Sequence, residues 1–300
     1  MMISLSQVFA GMQALPGGVG MRRWSSRLFA GEHRSRFLGR GLEFYKKTPY
    51  DPSRHSVDQI DWFDTRDPEQ IFVREALLLR ENKVILVLDL SSSISFGVGE
   101  SVKERLILVS AGTVGLTAAH NHDKVGLLGF ADNVIIDEPP RGGEKRLYYL
   151  IRRVHSFFEN QDEGSRRGTN FNLILKLITS RFSGSCTVFL FSDFVGSENI
   201  AASPLFGMVA TKHELVCVIV DDPQEYAAKG FFGTITVQDL ETGELHKMPI
   251  RHFRRAREEM LRCREAMREG FKRLGVESLE LTYGNHLSQL AAFLKERRKR

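Results

Sequence analysis

The hydrophobic and polar positions of this chain come in blocks that predict strands and helices in turn. The clearest strand is the apolar run at residues 84–88, which ends abruptly at Asp89. A continuous run of β-branched and aliphatic residues is typical of a strand buried on both faces of a parallel sheet. Four further strands are predicted at residues 125–130, 187–191, 215–220 and 279–282.

The segments between these strands have helical periodicity. Leu147, Leu150, Ile151, Val154 and Phe158 recur at steps of three and four, which places them on one face of a helix. Other helices are predicted at residues 102–119, 171–178, 251–274 and 286–297.

Alternation of strands and helices favours an α/β fold with a doubly wound, mostly parallel sheet. Residues 134–136 are predicted to pair with the preceding strand as an antiparallel edge strand. Two strand-like runs flank Glu241-Thr242-Gly243-Glu244, which predicts a β-hairpin insertion at about residues 223–250.

The amino-terminal part has a different pattern. Leu5, Val8, Phe9, Met12 and Leu15 have helical spacing, which favours a short docked helix, with a partner-binding helix as the alternative. Residues 71–79 are expected to form a strand or a short helix. If they form a hairpin with the strand at residues 84–88, they would join the sheet as an antiparallel strand. We therefore expect an N-terminal segment at 1–80 packed on a main domain at 81–300.

The composition limits the classes of protein to which this chain could belong. The chain has 300 residues, of which 42% are hydrophobic, a net charge of +5 and three cysteines without metal-binding or disulfide spacing. No apolar window approaches the roughly 18 residues that a membrane span needs, and the amino end makes a poor signal peptide. The sequence therefore predicts a cytoplasmic protein.

Polar side chains follow the predicted strands where several of them end. Asp89, Ser91 and Ser93 form an Asp-x-Ser-x-Ser motif, Thr169 lies in a Gly-Thr-Asn loop before a helix, and Asp193 follows another strand. In an open α/β sheet, ligands bind outside the carboxyl ends of the strands. Hydroxyl and carboxylate oxygens suit a small hard cation, so we predict a Mg²⁺ site, with Mn²⁺ as an alternative ion.

Other interpretations of the same residues stay open at this point. The serines, Thr169 or Asn170 could cap helices, since these residue types are good N-caps. Asp89 could be the nucleophile of a phosphohydrolase, although Ser91 stands where we would expect a second carboxylate. The arginine-rich segment at 251–273 could bind nucleic acid, although interleaved glutamates favour a solvated helix.

The five predicted ligands resemble the metal-ion-dependent adhesion site of von Willebrand factor A domains. More closely, the chain resembles the bacterial family called domain of unknown function 58, from about residue 30 to the carboxyl end. The stretches that carry this resemblance are Gly39-Arg-Gly-Leu-Glu-Phe44, Gln59-Ile-Asp-Trp62, the metal motif, Lys124-Val-Gly-Leu-Leu-Gly-Phe130 and Asp239-Leu-Glu-Thr-Gly243.

The resemblance implies a von Willebrand factor A-like, or Rossmann-like, fold and a function without catalysis. Proteins of this family are expected to act as metal-dependent adaptors beside MoxR-type AAA+ ATPases, in the assembly or maturation of protein complexes. A partner protein would supply an acidic side chain to the metal. Ile94 stands where the family usually has methionine, and Ser92 adds a hydroxyl, but neither change removes a predicted ligand.

Overall fold

The computed structural model describes residues 4–15, 42–53, 57, 60, 62, 71–78, 82–95, 102–161, 167–197, 199–223, 234–238 and 245–299. The chain divides into two compact units, one formed by Met1–Arg22 with Asn82–Arg300 and the other by Arg23–Glu81. The Gly39 stretch of the family resemblance and the predicted turn at 241–244 lie outside the described residues, except for the part of that stretch within strand β1.

The larger unit is built on a mixed sheet that has six strands within the described ranges. From one edge to the other these are β10 (Glu277–Thr282), β7 (Glu214–Asp221), β6 (Thr187–Ser192), β3 (Lys83–Asp89), β4 (Lys124–Phe130) and β5 (Val134–Arg141). All neighbouring pairs are parallel except β4 and β5. The prediction of a mostly parallel α/β sheet with an antiparallel edge strand is confirmed.

Helices connect the strands and cover the sheet. They are α1 (Leu5–Gly11), α2 (Ser92–Ser95), α3 (Val102–His120), α4 (Glu144–Glu159), α5 (Phe171–Arg181), α6 (Pro204–Lys212), α7 (Ile250–Arg273) and α8 (His286–Lys299). Each predicted helix is present, with its ends shifted by a few residues. Helices α2 and α6 have no counterpart in the sequence analysis.

Both faces of the sheet are buried, because successive side chains of a strand point to opposite sides. On strand β3, Leu86 and Leu88 pack into one hydrophobic cluster with α1, α3, α4 and α8. Ile85 and Val87 pack into the other cluster with α5, α6 and α7. All four side chains are fully buried, so strand β3 lies at the centre of the fold.

Helix α1 docks as expected from its apolar spacing. Ser4 caps it through a reciprocal pair of hydrogen bonds with Gln7, and Val8 is fully buried. After the helix, the backbone N–H of Leu15 donates to the hydroxyl of Thr117 on α3 at 3.0 Å.

The smaller unit contains an antiparallel pair, β1 (Leu42–Pro49) and β2 (Phe72–Leu78). The expectation that residues 71–79 join the main sheet by a hairpin was wrong, because β2 pairs with β1 in a separate two-stranded sheet. In the larger unit, β8 (Thr234–Gln238) and β9 (Leu245–Pro249) pair antiparallel, as the hairpin prediction requires. Every helix within the described residues is too short or too polar to span a membrane.

His213, at the end of α6, is a buried imidazole that makes the stability of this unit sensitive to acid. The side chain is 3% exposed, and neither ring nitrogen has a hydrogen-bond partner within the described residues. Burial, together with the charge of Lys212, lowers the pKa of His213 to about 4. The unfolded chain therefore binds more protons than the folded one between that value and the ordinary histidine value of about 6.5.

We expect acidification from pH 7 to pH 5 to cost the wild type about 2 kcal/mol more unfolding free energy than the His213→Leu variant. Denaturant titrations of both proteins at the two pH values measure this difference. Asp123, whose pKa burial raises to about 6, acts in the opposite direction but is common to both proteins. Equal losses in the two proteins would contradict the assignment.

Candidate metal centre

The candidate site lies where the connections of the sheet change direction. Strand β3 leads to β4 on one side, whereas its other neighbour β6 leads to β7 on the opposite side. The crevice outside the carboxyl ends of two such strands is the usual ligand site of an open α/β sheet. Asp89 ends β3, and Asp193 directly follows β6, so the topology brings both predicted carboxylates to this crevice.

The carboxylate of Asp89 is fully buried, and each of its oxygens accepts a hydrogen bond. Its Oδ1 accepts a hydrogen bond from the backbone N–H of Ser91 at 3.0 Å, and its Oδ2 accepts one from the hydroxyl of Ser192 at 2.6 Å. Burial and the neighbouring charge of Asp193 raise the pKa of Asp89 to about 7, against the opposing effect of these hydrogen bonds. A cation beside Asp89 would favour its ionised form.

The two motif serines bring their hydroxyls together at the start of α2. Ser91 Oγ and Ser93 Oγ are 3.1 Å apart, and both residues are buried. Adjacent ligands of an octahedral Mg²⁺ ion, at about 2.0–2.1 Å from the metal, are separated by about 2.9 Å. The hydroxyl pair therefore has the spacing of one edge of that octahedron, and the donor set fits the ion that the sequence predicts.

Asp193 is buried beside a positive charge that the sequence analysis missed. Its Oδ1 accepts a hydrogen bond from the backbone N–H of Val195 at 3.2 Å, and its Oδ2 forms an ion pair with Lys103 Nζ at 3.0 Å. Lys103 also donates to the backbone carbonyl of Ser93 at 3.3 Å. Asp193 thus shares a partner with the serine loop, which places it at the same site.

The loop of Thr169 is anchored to the site on both sides. Before it, the backbone N–H of Arg167 donates to Ser92 Oγ at 2.8 Å. After it, the backbone N–H of Asn170 donates to the carbonyl of Ala131 at 2.9 Å. Asn170 supplies the side-chain cap of α5, so the cap interpretation applies to Asn170. Thr169 is half-buried between the two anchors.

Aromatic stacking joins the threonine loop to the aspartate loop. The rings of Phe171 and Phe194 stack at 5.4 Å with 3° between their planes, and Phe130 meets Phe171 edge-on at 5.5 Å. Phe194 has a φ of 54°, a backbone conformation that is costly for a bulky residue. Because Phe171 is two residues after Thr169 and Phe194 is one after Asp193, the stack holds the two loops together.

The structure thus brings four of the five predicted ligands into one bonded network and anchors the loop of the fifth to it. Sequence reasoning missed Ser192 and Lys103, which contact this network. Ser192 carried a weak signal, since it directly follows the strand predicted at residues 187–191. Lys103 carried none, because a lysine near the start of a helix is usually solvated. Among the described residues, no group of three or more His, Cys, Asp or Glu side chains could hold a metal.

Two arginines of α7 form ion pairs with acidic residues of the sheet strands. Arg264 is buried and forms an ion pair with Asp221 at 2.6 Å, and Arg268 pairs with Glu280. Arg264 and Arg268 therefore hold α7 against strands β7 and β10.

Comparison with known proteins identifies the family. Residues 48–269 match the family described as protein of unknown function DUF58. Uncharacterized proteins of Mycobacterium bovis and Mycobacterium tuberculosis are each 26% identical over 220 residues, which is 73% of this chain and 67% of theirs.

Similarity to solved structures is more distant. The chain is similar to the conserved hypothetical protein BatB of Bacteroides thetaiotaomicron, with 16% identity, a TM-score of 0.43, and coverage of 73% of this chain and all of that one. It is also similar to the PilB minor pilin of Streptococcus sanguinis, with 12% identity, a TM-score of 0.40, and coverage of 76% and 63%. Because the family match spans well over half of the sequence, the chain belongs to the DUF58 family.

Proposed function

We propose that this chain is a non-enzymatic, metal-dependent adaptor with a von Willebrand factor A-like domain. It acts with a MoxR-type AAA+ ATPase in the assembly or maturation of other protein complexes. The observation that supports this proposal is the convergence of the Asp89–Ser93 loop and the Asp193 loop in one buried network at the carboxyl edge of the sheet.

The ligand chemistry explains how such a site binds a protein. Ser91, Ser93 and Thr169 would hold Mg²⁺, or Mn²⁺, through neutral hydroxyls. Asp89 and Asp193 already use their oxygens in protein hydrogen bonds, so they would act mainly through bound water. When bound, the ion supplies a positive charge with an open coordination position. A carboxylate from a partner protein has the charge and the oxygen donor to fill it.

The environment of Asp89 argues against a nucleophile. A nucleophilic carboxylate has to reach its substrate, whereas Asp89 is fully buried and both of its oxygens accept hydrogen bonds. We therefore assign Asp89 to the support of the metal site.

Exposed apolar and aromatic side chains near the same edge provide a surface for a partner. Val195, two residues after Asp193, is 43% exposed, and Tyr283, directly after β10, is 48% exposed. The guanidinium of Arg105 lies 5.2 Å from the centre of the Tyr283 ring. Aromatic residues and arginine are the side chains that contribute most to protein interfaces.

The proposal predicts that partner binding requires both Mg²⁺ and the motif hydroxyls. We expect the immobilised wild type to retain a purified MoxR-type ATPase of the same organism in Mg²⁺ and to release it in chelator. Ser93→Ala should reduce retention at least tenfold, because it removes a ligand from the ion. Ser95→Ala is the matched control, since it is in the same short helix and its hydroxyl has no hydrogen-bond partner within the described residues.

Retention that is equal with and without chelator would contradict metal-dependent binding. Equal loss in the Ser93 and Ser95 variants would show that the loop, and not the ligand, determines binding. Turnover of a phosphoester that disappears in Asp89→Asn would replace the adaptor proposal with the phosphohydrolase alternative.

A further inference from the structure

A buried ammonium group lies within the candidate metal site. Lys103, the second residue of α3, is only 1% exposed. Its Nζ is 3.0 Å from Asp193 Oδ2 and 3.3 Å from the backbone carbonyl of Ser93. Burying a charge is costly unless that charge is paired and hydrogen-bonded. The contacts with Asp193 and with the carbonyl of Ser93 offset this cost for Lys103.

Lys103 uses the same groups that the metal would use. Asp193 is a predicted metal-site carboxylate, and Ser93 belongs to the loop that presents two hydroxyl ligands. The ammonium therefore bridges two of the loops that have to converge on the ion. A divalent ion would enter a site that already contains one positive charge.

We propose that Lys103 is a tethered cation of the metal site. It keeps the Asp193 and Ser93 loops assembled when no metal is bound, and it lowers the affinity of the site for divalent ions. This inference rests on the proposed function, because it concerns the same ion and the same ligands.

Charge counting shows what the lysine contributes to partner choice. With a divalent ion bound, the carboxylates of Asp89 and Asp193 and the ammonium of Lys103 leave this contact network with one net positive charge. Without Lys103 the loaded network would be neutral. The lysine thus leaves the loaded site with a charge that one carboxylate of a partner neutralises, which selects acidic ligands over neutral ones.

Mn²⁺ binding to the full-length chain tests the inference directly, with isothermal titration calorimetry as the readout. We expect Lys103→Met to bind Mn²⁺ about tenfold more tightly than the wild type, because a like charge has left a poorly solvated site. Lys103→Arg keeps the charge and should bind like the wild type. Lys176→Met, which removes an exposed lysine from α5, is the control for a general change in net charge.

Thermal unfolding provides a second readout. Metal-free Lys103→Met should melt below the wild type, since Asp193 has lost its counter-ion. Mn²⁺ should raise the melting temperature of this variant more than that of the wild type. If the methionine variant does not fold, Lys103→Gln takes its place, because glutamine is neutral but can still donate a hydrogen bond to Asp193.

The outcomes separate this inference from the proposed function. If the wild type binds Mn²⁺ and the neutral variants bind it no more tightly, or more weakly, the tethered-cation inference is overturned and the adaptor proposal is unaffected. If neither the wild type nor any variant binds Mn²⁺, both are overturned.

Discussion

Asp89→Asn is expected to lower the affinity of the chain for Mn²⁺ by about a hundredfold, the upper end of what outer-shell ligand partners contribute. The substitution removes one of the two carboxylates that would balance the charge of the proposed ion. The fold should not suffer, because an asparagine can still accept the hydrogen bond from the backbone N–H of Ser91 and can meet the hydroxyl of Ser192. Calorimetric titration with Mn²⁺ measures the affinity, and denaturant titration without metal measures the stability.

Asp137→Asn is a suitable control for this experiment. Asp137 is on the edge strand β5, where its side chain is 34% exposed and pairs with Arg181. The same chemical change at this position should leave Mn²⁺ affinity unchanged. If Asp89→Asn and Asp137→Asn bind Mn²⁺ equally well, Asp89 has no part in a metal site.

Phe194→Ala is expected to destabilise the fold by about 3–5 kcal/mol, as truncation of buried phenylalanines does. The side chain is 2% exposed, and its ring contacts those of Phe171 and Phe271. Truncation also releases the loop of Asp193 from the loop of Thr169. We therefore expect at least a tenfold loss of Mn²⁺ affinity in the folded variant, measured well below its melting temperature.

Phe158→Ala separates the two effects. Phe158 is equally buried, but it belongs to the cluster on the opposite face of the sheet. Its truncation should cost a similar free energy of unfolding and leave the Mn²⁺ affinity of the folded protein intact. Equal loss of affinity in both variants would mean that general destabilisation, and not the Phe171–Phe194 stack, affects the site.

Much of the fold could be predicted because burial on two faces produces continuous apolar runs. Strand β3 is the clearest case: the run from Val84 to Leu88 is buried throughout, and the polar residues begin where the strand ends. The same change from apolar to polar residues marks the end of β6 at Ser192. The candidate ligands Asp89 and Asp193 could therefore be located from sequence, since parallel strands present their carboxyl ends at one edge.

Features that depend on tertiary contacts could not be predicted from local sequence patterns. The pairing of β2 with β1 joins residues about 30 positions apart, whereas the sequence favoured the nearer strand β3. Helix α6 is short and begins at Pro204, so its apolar residues give no sustained helical period. Lys103 is buried because Asp193 and the Ser93 carbonyl lie beside it, and no local pattern encodes that neighbourhood.

In the proposed metal site, the hydroxyls of Ser91, Ser93 and Thr169 hold one divalent ion. The most direct test is a crystal structure of the chain grown with Mn²⁺, with anomalous scattering used to locate the metal. We expect one strong anomalous peak within about 2.0–2.3 Å of the three hydroxyl oxygens, close to the lengths of Mg²⁺–oxygen bonds. A peak elsewhere, or no peak at the carboxyl edge of β3 and β6 at millimolar Mn²⁺, would contradict it.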